Sequence, residues 1–161
     1  MISENRSGKV FLPVLINITD KKILIIGGGK VAVHKLSTLL KFTGDITILA
    51  SDIIDEIRTD SRLTLRIKHY EKEDLLNFHI VYACTNDKTV NATIKKDANS
   101  LGLLVNVADD PELCDFVSPA VYKDDYITVS VGSNAQDVKK AIQIRNRIKK
   151  ILEDDTTESI R

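Results

Sequence analysis

A few glycines and two aspartates carry most of the chemistry legible in this chain. Gly27, Gly29 and Ala32 fall in the spacing G-x-G-x-x-A within Lys22-Ile-Leu-Ile-Ile-Gly-Gly-Gly-Lys-Val-Ala-Val-His-Lys35. An apolar run meets a glycine turn, and an amphipathic pattern follows at once, as where a buried parallel strand feeds a helix. The first glycine permits the sharp turn, the second lets a pyrophosphate approach the backbone, and the small third residue lets helix and strand pack closely. Unsatisfied N–H groups at the helix start can then hold phosphates, which makes Gly27, Gly28 and Gly29 candidate dinucleotide contacts. Asp52 lies about 20 residues further on, where a carboxylate can bond ribose hydroxyls and disfavour a phosphate. That points to NAD over NADP. Asp52 also reads as a helix cap before Ile53, and the two roles are compatible.

The second stretch of interest is Asn106-Val-Ala-Asp-Asp-Pro111. An asparagine ending a buried strand would put Asp109 at the mouth of the same cleft, as a proton acceptor or a metal ligand. Taken by themselves, Asp109-Asp110-Pro111 read better as a turn. His34, His69 and His79 have no ligand spacing to one another, so a histidine metal site is not expected. Cys84 and Cys114 read as core residues, with no base nearby in sequence.

These groups need a scaffold, and the patterning supplies one. Residues 11–18 read as a strand leading through the Thr19-Asp20-Lys21 turn into the strand before the glycines. A helix from Lys30 should end near Gly44 as its C′ residue. Strands follow at 45–50, 63–68, 79–84 and 103–106, with helices at 53–58, 71–78 and 88–100. Thr85-Asn86-Asp87 offer N-cap residues for the last of these helices, and Gly102 ends it. Strands alternating with helices imply a doubly wound parallel sheet, whose ligands sit at the strands' carboxyl ends. Gly27 to Gly29, Ser51, Asp52, Thr85, Asn86, Asp87 and Asn106 all fall at such ends. Beyond them, 116–122 and 126–131 read as an antiparallel hairpin. Residues 137–152 form a helix with Val138, Ala141, Ile142, Ile148, Ile151 and Leu152 on one apolar face.

At 161 residues the chain can bury one proper core. Lys plus Arg equals Asp plus Glu at 23 each, so no global field draws it to nucleic acid or a membrane surface. No apolar run has signal-peptide or membrane-span length, and two unpaired-looking cysteines suit a reducing compartment. A cytoplasmic protein is expected.

Five motifs in order give the chain a family likeness: Phe11-Leu-Pro-Val-Leu, Ile26-Gly-Gly-Gly-Lys-Val-Ala, Ala83-Cys-Thr-Asn-Asp with Val90-Asn91, Asn106-Val-Ala-Asp109, and Phe116-Val-Ser-Pro-Ala. In these it resembles precorrin-2 dehydrogenase, found alone or as the N-terminal part of siroheme synthase. The resemblance runs from about Phe11 to Lys150. It implies an α/β chain: a Rossmann-type NAD-binding domain over 1–112, a β-hairpin dimerisation segment over 113–135, and a C-terminal helix and tail over 136–161. It implies NAD-dependent oxidation of precorrin-2 to sirohydrochlorin by a homodimer. Some relatives of this kind also insert ferrous iron.

By that likeness Lys30, Val31, Ser51 and Asp52 join the glycines at the cofactor, and Thr85 and Asn86 line the nicotinamide side. Asp109 matches the family's important aspartate, which reverses the turn reading; it is the candidate base and the one candidate metal ligand. Asn106, Phe116, Ser118, Pro119 and Ser133 are candidate substrate contacts. Lys123, Lys139, Lys140 and Arg145 could receive substrate carboxylates. The chain departs from the family at His34, where many members carry arginine, and at Val131-Gly-Ser-Asn-Ala-Gln-Asp137, which replaces a Ser-x-Gly-x-Ser-Pro loop. The absence of a methyltransferase domain favours a stand-alone dehydrogenase. Two alternatives stay open: a bifunctional dehydrogenase and ferrochelatase, and a non-catalytic NAD(H)-sensing module.

Overall fold

The computed structural model describes residues 9–158. Its contacts divide the chain into two units, one spanning 14–116 and the other 1–13 with 117–161. In the first, β1 (Ile23–Ile26), β2 (Ile46–Ala50), β3 (Thr64–Ile67), β4 (Ile80–Ala83) and β5 (Leu104–Val107) form a wholly parallel sheet in the order β3-β2-β1-β4-β5. Every β1 and β4 residue is buried, as a strand covered on both faces requires. Helices α1 (Lys30–Leu39), α2 (Asp55–Arg58) and α3 (Lys88–Ser100) make the crossovers.

Most expected elements form, with several corrections. Residues 11–18 make no strand: Leu12, Val14 and Leu15 are 81%, 63% and 92% exposed, so alternation there marks no covered sheet face. Helix α1 ends at Leu39 with Leu40 as its cap, short of Gly44, because turns through Phe42 and Thr43 take up the last carbonyls. The expected helix at 71–78 shrinks to a 3₁₀ turn over Lys72–Leu75, closed by a capping box between Glu71 and Asp74. Asp87 does cap α3, accepting from the Thr89 and Val90 amides at 2.7 and 3.2 Å. Gly102 stops α3 with φ +70°.

The edge of the sheet at β5 is latched by an ion pair. Lys95 on α3 meets Asp115, whose other oxygen accepts the Val105 amide at 3.0 Å, while the Asp115 amide donates to the Val105 carbonyl at 2.8 Å. The segment beyond β5 is thereby tied back along the strand.

In the second unit, β6 (Ala120–Lys123) and β7 (Thr128–Val131) pair antiparallel around Asp124, which accepts the Tyr126 and Ile127 amides. Helix α4 (Val138–Glu158) packs on this hairpin. Arg145 donates to the Val121 carbonyl at 2.6 Å. The side of α4 nearest the hairpin is Ala141, Arg145, Ile148 and Leu152, while Val138, Ile142 and Ile151 stay exposed. The apolar face expected from sequence is therefore divided. No helix among the described residues is long and apolar enough to cross a membrane.

Asp115→Ala removes the partner of a nearly buried lysine and an acceptor from a strand amide. It should lower unfolding free energy in urea by about 2–3 kcal/mol.

Candidate cofactor cleft

The site begins where the sheet order reverses, between β1 and β4. The chain leaves β1 at Gly27 with φ +125°, a conformation side chains rarely adopt. A Cβ at Gly27 would stand 2.4 Å from the Cys84 carbonyl, so the turn lies directly on the end of β4. Gly28 is as constrained: its Cβ would meet the Asp52 carbonyl at 2.4 Å and the Ile53 Cα at 2.8 Å. Its own carbonyl accepts the Ile54 amide at 3.0 Å. The loop after β2 is thus packed on the glycine turn. The position between the two motif glycines is no spacer, which the motif does not reveal.

Gly29 differs, since a Cβ there would meet nothing within 4 Å. It opens α1 with no side-chain cap and no acidic residue in the first turn. The first intrahelical bond runs from the Val33 amide to the Gly29 carbonyl, so the amides of Lys30, Val31 and Ala32 are the helix's orphan donors. An open approach at Gly29, uncapped amides and a helix N-terminus suit a pyrophosphate. Ala32 is fully buried, in keeping with close helix–strand packing.

A cleft of about 500 Å³ extends from this turn, bounded by the glycines, Ser51, Asp52, Thr85, Asn86 and Asp87. That size falls within the range of cofactor sites. Asp52 is 93% exposed and only 3.9 Å from Arg58, and α2 starts from Ile54 with no side-chain cap. Asp52 therefore caps no helix, and its carboxylate stands open on the cleft.

The Thr85 loop is held from behind by buried Asn91. Its Oδ1 accepts the Thr85 amide at 3.1 Å and lies 2.7 Å from the Thr85 hydroxyl, while its amide donates to the Thr85 carbonyl at 3.1 Å. Asn86 is left exposed on the cleft. Lys30 and Val31 are not among the residues that line the cleft; they form the first turn of α1, directly after the glycines that do.

One wall of the cleft carries no motif in the sequence. Lys68, His69 and Tyr70 follow β3 and line the cleft beside Ser51 and Asp52. The position of β3 next to β2 was the available signal, since both carboxyl ends reach one edge. Lys68 is held by Glu71 at 2.6 Å and Asp74 at 3.0 Å, bonds that raise its pKa. Burial, reinforced by a hydrogen bond to Asp97, keeps Tyr70 protonated.

Asp109 lies beyond the cleft walls. It is exposed, with φ +60°, in the left-handed region that aspartate tolerates better than most residues. Asn106 is buried, with its amide donating to the Phe116 carbonyl at 2.9 Å and its Oδ1 unpaired. Phe116 meets Tyr82 edge-to-face at 5.4 Å between ring centroids. In the other unit Ser118 is exposed and Pro119 half-buried. Ser133 Oγ accepts the Asp137 amide at 3.1 Å, a structural use of that hydroxyl. Both cysteines are buried, and neither is in a disulfide. Burial pushes the Cys84 thiol up to about 12, with Lys35 opposing and Asp109 and Cys114 adding, so it is protonated at neutral pH and no nucleophile. No cluster of three or more candidate metal ligands occurs among the described residues.

Sheet order, glycine turn and cleft together define a dinucleotide-binding α/β protein. Residues 14–120 match a family model described as putative NAD(P)-binding. The chain is 31% identical over 147 residues to precorrin-2 dehydrogenase of Bacillus subtilis, covering 89% of this chain and 90% of that one, and it belongs to that family. It is also 35% identical over 143 residues to a siroheme synthase of Psychrobacter cryohalolentis, covering 87% of this chain but 27% of the relative. The chain thus spans about a quarter of the length of such synthases. Its fold matches a solved structure titled SirC, precorrin-2 dehydrogenase, with TM-score 0.74 and 23% identity over 90% of this chain and 70% of that one.

Two substitutions separate the roles of adjacent glycines. Gly28→Ala should destabilise the protein by about 2–3 kcal/mol, since backbone must move to admit the methyl. Gly29→Val should melt near the wild type yet lose NAD binding by calorimetry, because its side chain enters the phosphate approach.

Proposed function

We propose that this protein oxidises precorrin-2 to sirohydrochlorin with NAD as the hydride acceptor, working in the cytoplasm as a homodimer. The observation that carries the cofactor half is the open, uncapped helix start at Gly29 facing a cleft of about 500 Å³. The near full-length likeness to Bacillus subtilis precorrin-2 dehydrogenase supports the substrate. NAD, when bound, supplies the electron sink.

The chain's residues then divide the work. The amides of Lys30 and Val31 and the glycine backbone receive the pyrophosphate. Asp52 bonds the ribose hydroxyls. Its exposed charge repels an added phosphate, and Lys68, already paired with Glu71 and Asp74, offers that phosphate little compensation. NAD is therefore preferred over NADP. Thr85 and Asn86 border the nicotinamide end. Asp109, open to solvent beyond β5, accepts the proton that the macrocycle loses. Asn106 and Phe116 support the substrate side, and by the family likeness Ser118, Pro119 and Ser133 are further substrate contacts.

The NAD-binding role is assigned to 1–112, dimerisation to 113–135 and its support to 136–161. Exposed Ile127 on the hairpin segment and exposed Val138, Ile142 and Ile151 on α4 are apolar surface that a second copy could cover.

Anaerobic incubation with precorrin-2 and NAD should produce sirohydrochlorin absorbance; no NAD-dependent product would remove the proposal. Asp109→Asn suits the left-handed backbone better than alanine, so its effect reports on the carboxylate. It should lower kcat by about 10²- to 10⁴-fold while leaving NAD affinity intact. Unchanged turnover would relieve Asp109 of the proton-accepting role.

A further inference from the structure

Lys35 has no part in the account so far. It stands on α1 beyond the glycine turn, half-buried, with its ammonium 5.9 Å from the centre of the Tyr82 ring. Lys68 and Lys95, the other lysines outside full exposure, are each held by carboxylates. Among the described residues no carboxylate comes within ion-pair reach of Lys35. A half-buried ammonium resting on a ring and paired with no anion is only partly compensated for its lost hydration.

The surroundings are those of an unfinished polar site. Tyr82 lies opposite Asn106 in the β4–β5 register, so the two side chains share the sheet face covered by Lys35. Asn106 Oδ1 is buried there without a hydrogen-bond partner, a rarity in folded proteins. Phe116 stands edge-on to Tyr82 and extends the aromatic wall. Cys84, two residues beyond Tyr82, belongs to the same face and also borders the cofactor cleft. Its thiol feels Lys35 and Asp109 with opposite sign, so both charges bear on this end of the sheet without pairing with each other.

We infer that Lys35 forms a carboxylate subsite for an anionic ligand lying along the Tyr82–Phe116 wall toward Asp109. The inference rests on the proposed function and deepens it. A precorrin carries several carboxylates on a broad apolar ring, and one carboxylate on Lys35 would orient the macrocycle between the cofactor cleft and the Asp109 carboxylate. Lys35 binds substrate here; it moves no proton.

The test compares wild type, Lys35→Gln and Lys35→Arg in two measurements: titration with metal-free sirohydrochlorin by absorbance, and steady-state oxidation of precorrin-2. Lys35→Gln should raise the sirohydrochlorin Kd and the precorrin-2 KM about tenfold, leaving kcat, NAD affinity and melting close to wild type. Lys35→Arg should restore most of the loss. Wild-type Kd and KM in Lys35→Gln would overturn the subsite while leaving the dehydrogenase reading in place. An equal fall in NAD affinity would also overturn it, since Lys35 would then serve the cofactor. A wild-type protein that neither binds sirohydrochlorin nor oxidises precorrin-2 would overturn the reading beneath it as well.

Discussion

Backbone-to-backbone contact around Gly27 and Gly28 is the constraint on which the cofactor site depends. Three strand ends converge there: β1 supplies the turn, β4 puts the Cys84 carbonyl where a Gly27 side chain would be, and the segment after β2 does the same at Gly28 through Asp52. Contacts of 2.4 Å to an added Cβ leave no tolerance for a methyl. The same contacts fix the direction of α1 and leave its first amides unspent. Binding capacity is a by-product of this closeness: the backbone is packed so tightly on its neighbours that it can turn a row of donors outward.

The cleft's charge follows from how its lysines and carboxylates are paired. Lys68 is neutralised by Glu71 and Asp74, whereas Asp52 remains nearly free. That side of the cleft is therefore acidic in effect although the chain as a whole has no net charge. Across β4, Lys35 has no carboxylate within ion-pair reach among the described residues, and Asp109 is exposed. A neutral protein can thus present an open carboxylate on one side of its sheet end and an ammonium on another through local pairing alone.

Much of the fold could be read in advance because its signals are local. An apolar run before glycines gives β1, Asp87 caps α3, and Gly102 ends it in a left-handed conformation. Failures occurred where tertiary contact decides. Residues 11–18 alternate like a strand but find no covered sheet face, and 71–78 closes into a short turn once Asp74 turns back to Glu71 and Lys68. Gly27, Gly29 and Asp52 are legible in sequence as cleft residues, because their spacing after an apolar run places them at adjacent strand ends. Lys68 to Tyr70 and Lys35 carry no local signal, because each meets neighbours distant in sequence; Gly28 is a candidate contact in sequence, but its packing on Asp52 is not legible there. Asp109 is the instructive middle case: its residues alone read as a turn, and it does adopt a left-handed turn conformation, while family likeness supplies its proposed chemical role.

Amide-resolved NMR of the full chain during NAD titration tests the central claim most directly. The account predicts the largest shift changes at Gly28 to Val31, Ser51, Asp52 and Asn86, with the hairpin amides around Asp124 little affected. Saturable NAD binding that leaves the Gly29, Lys30 and Val31 amides unmoved would contradict it, since the uncapped helix start would then not be the phosphate site.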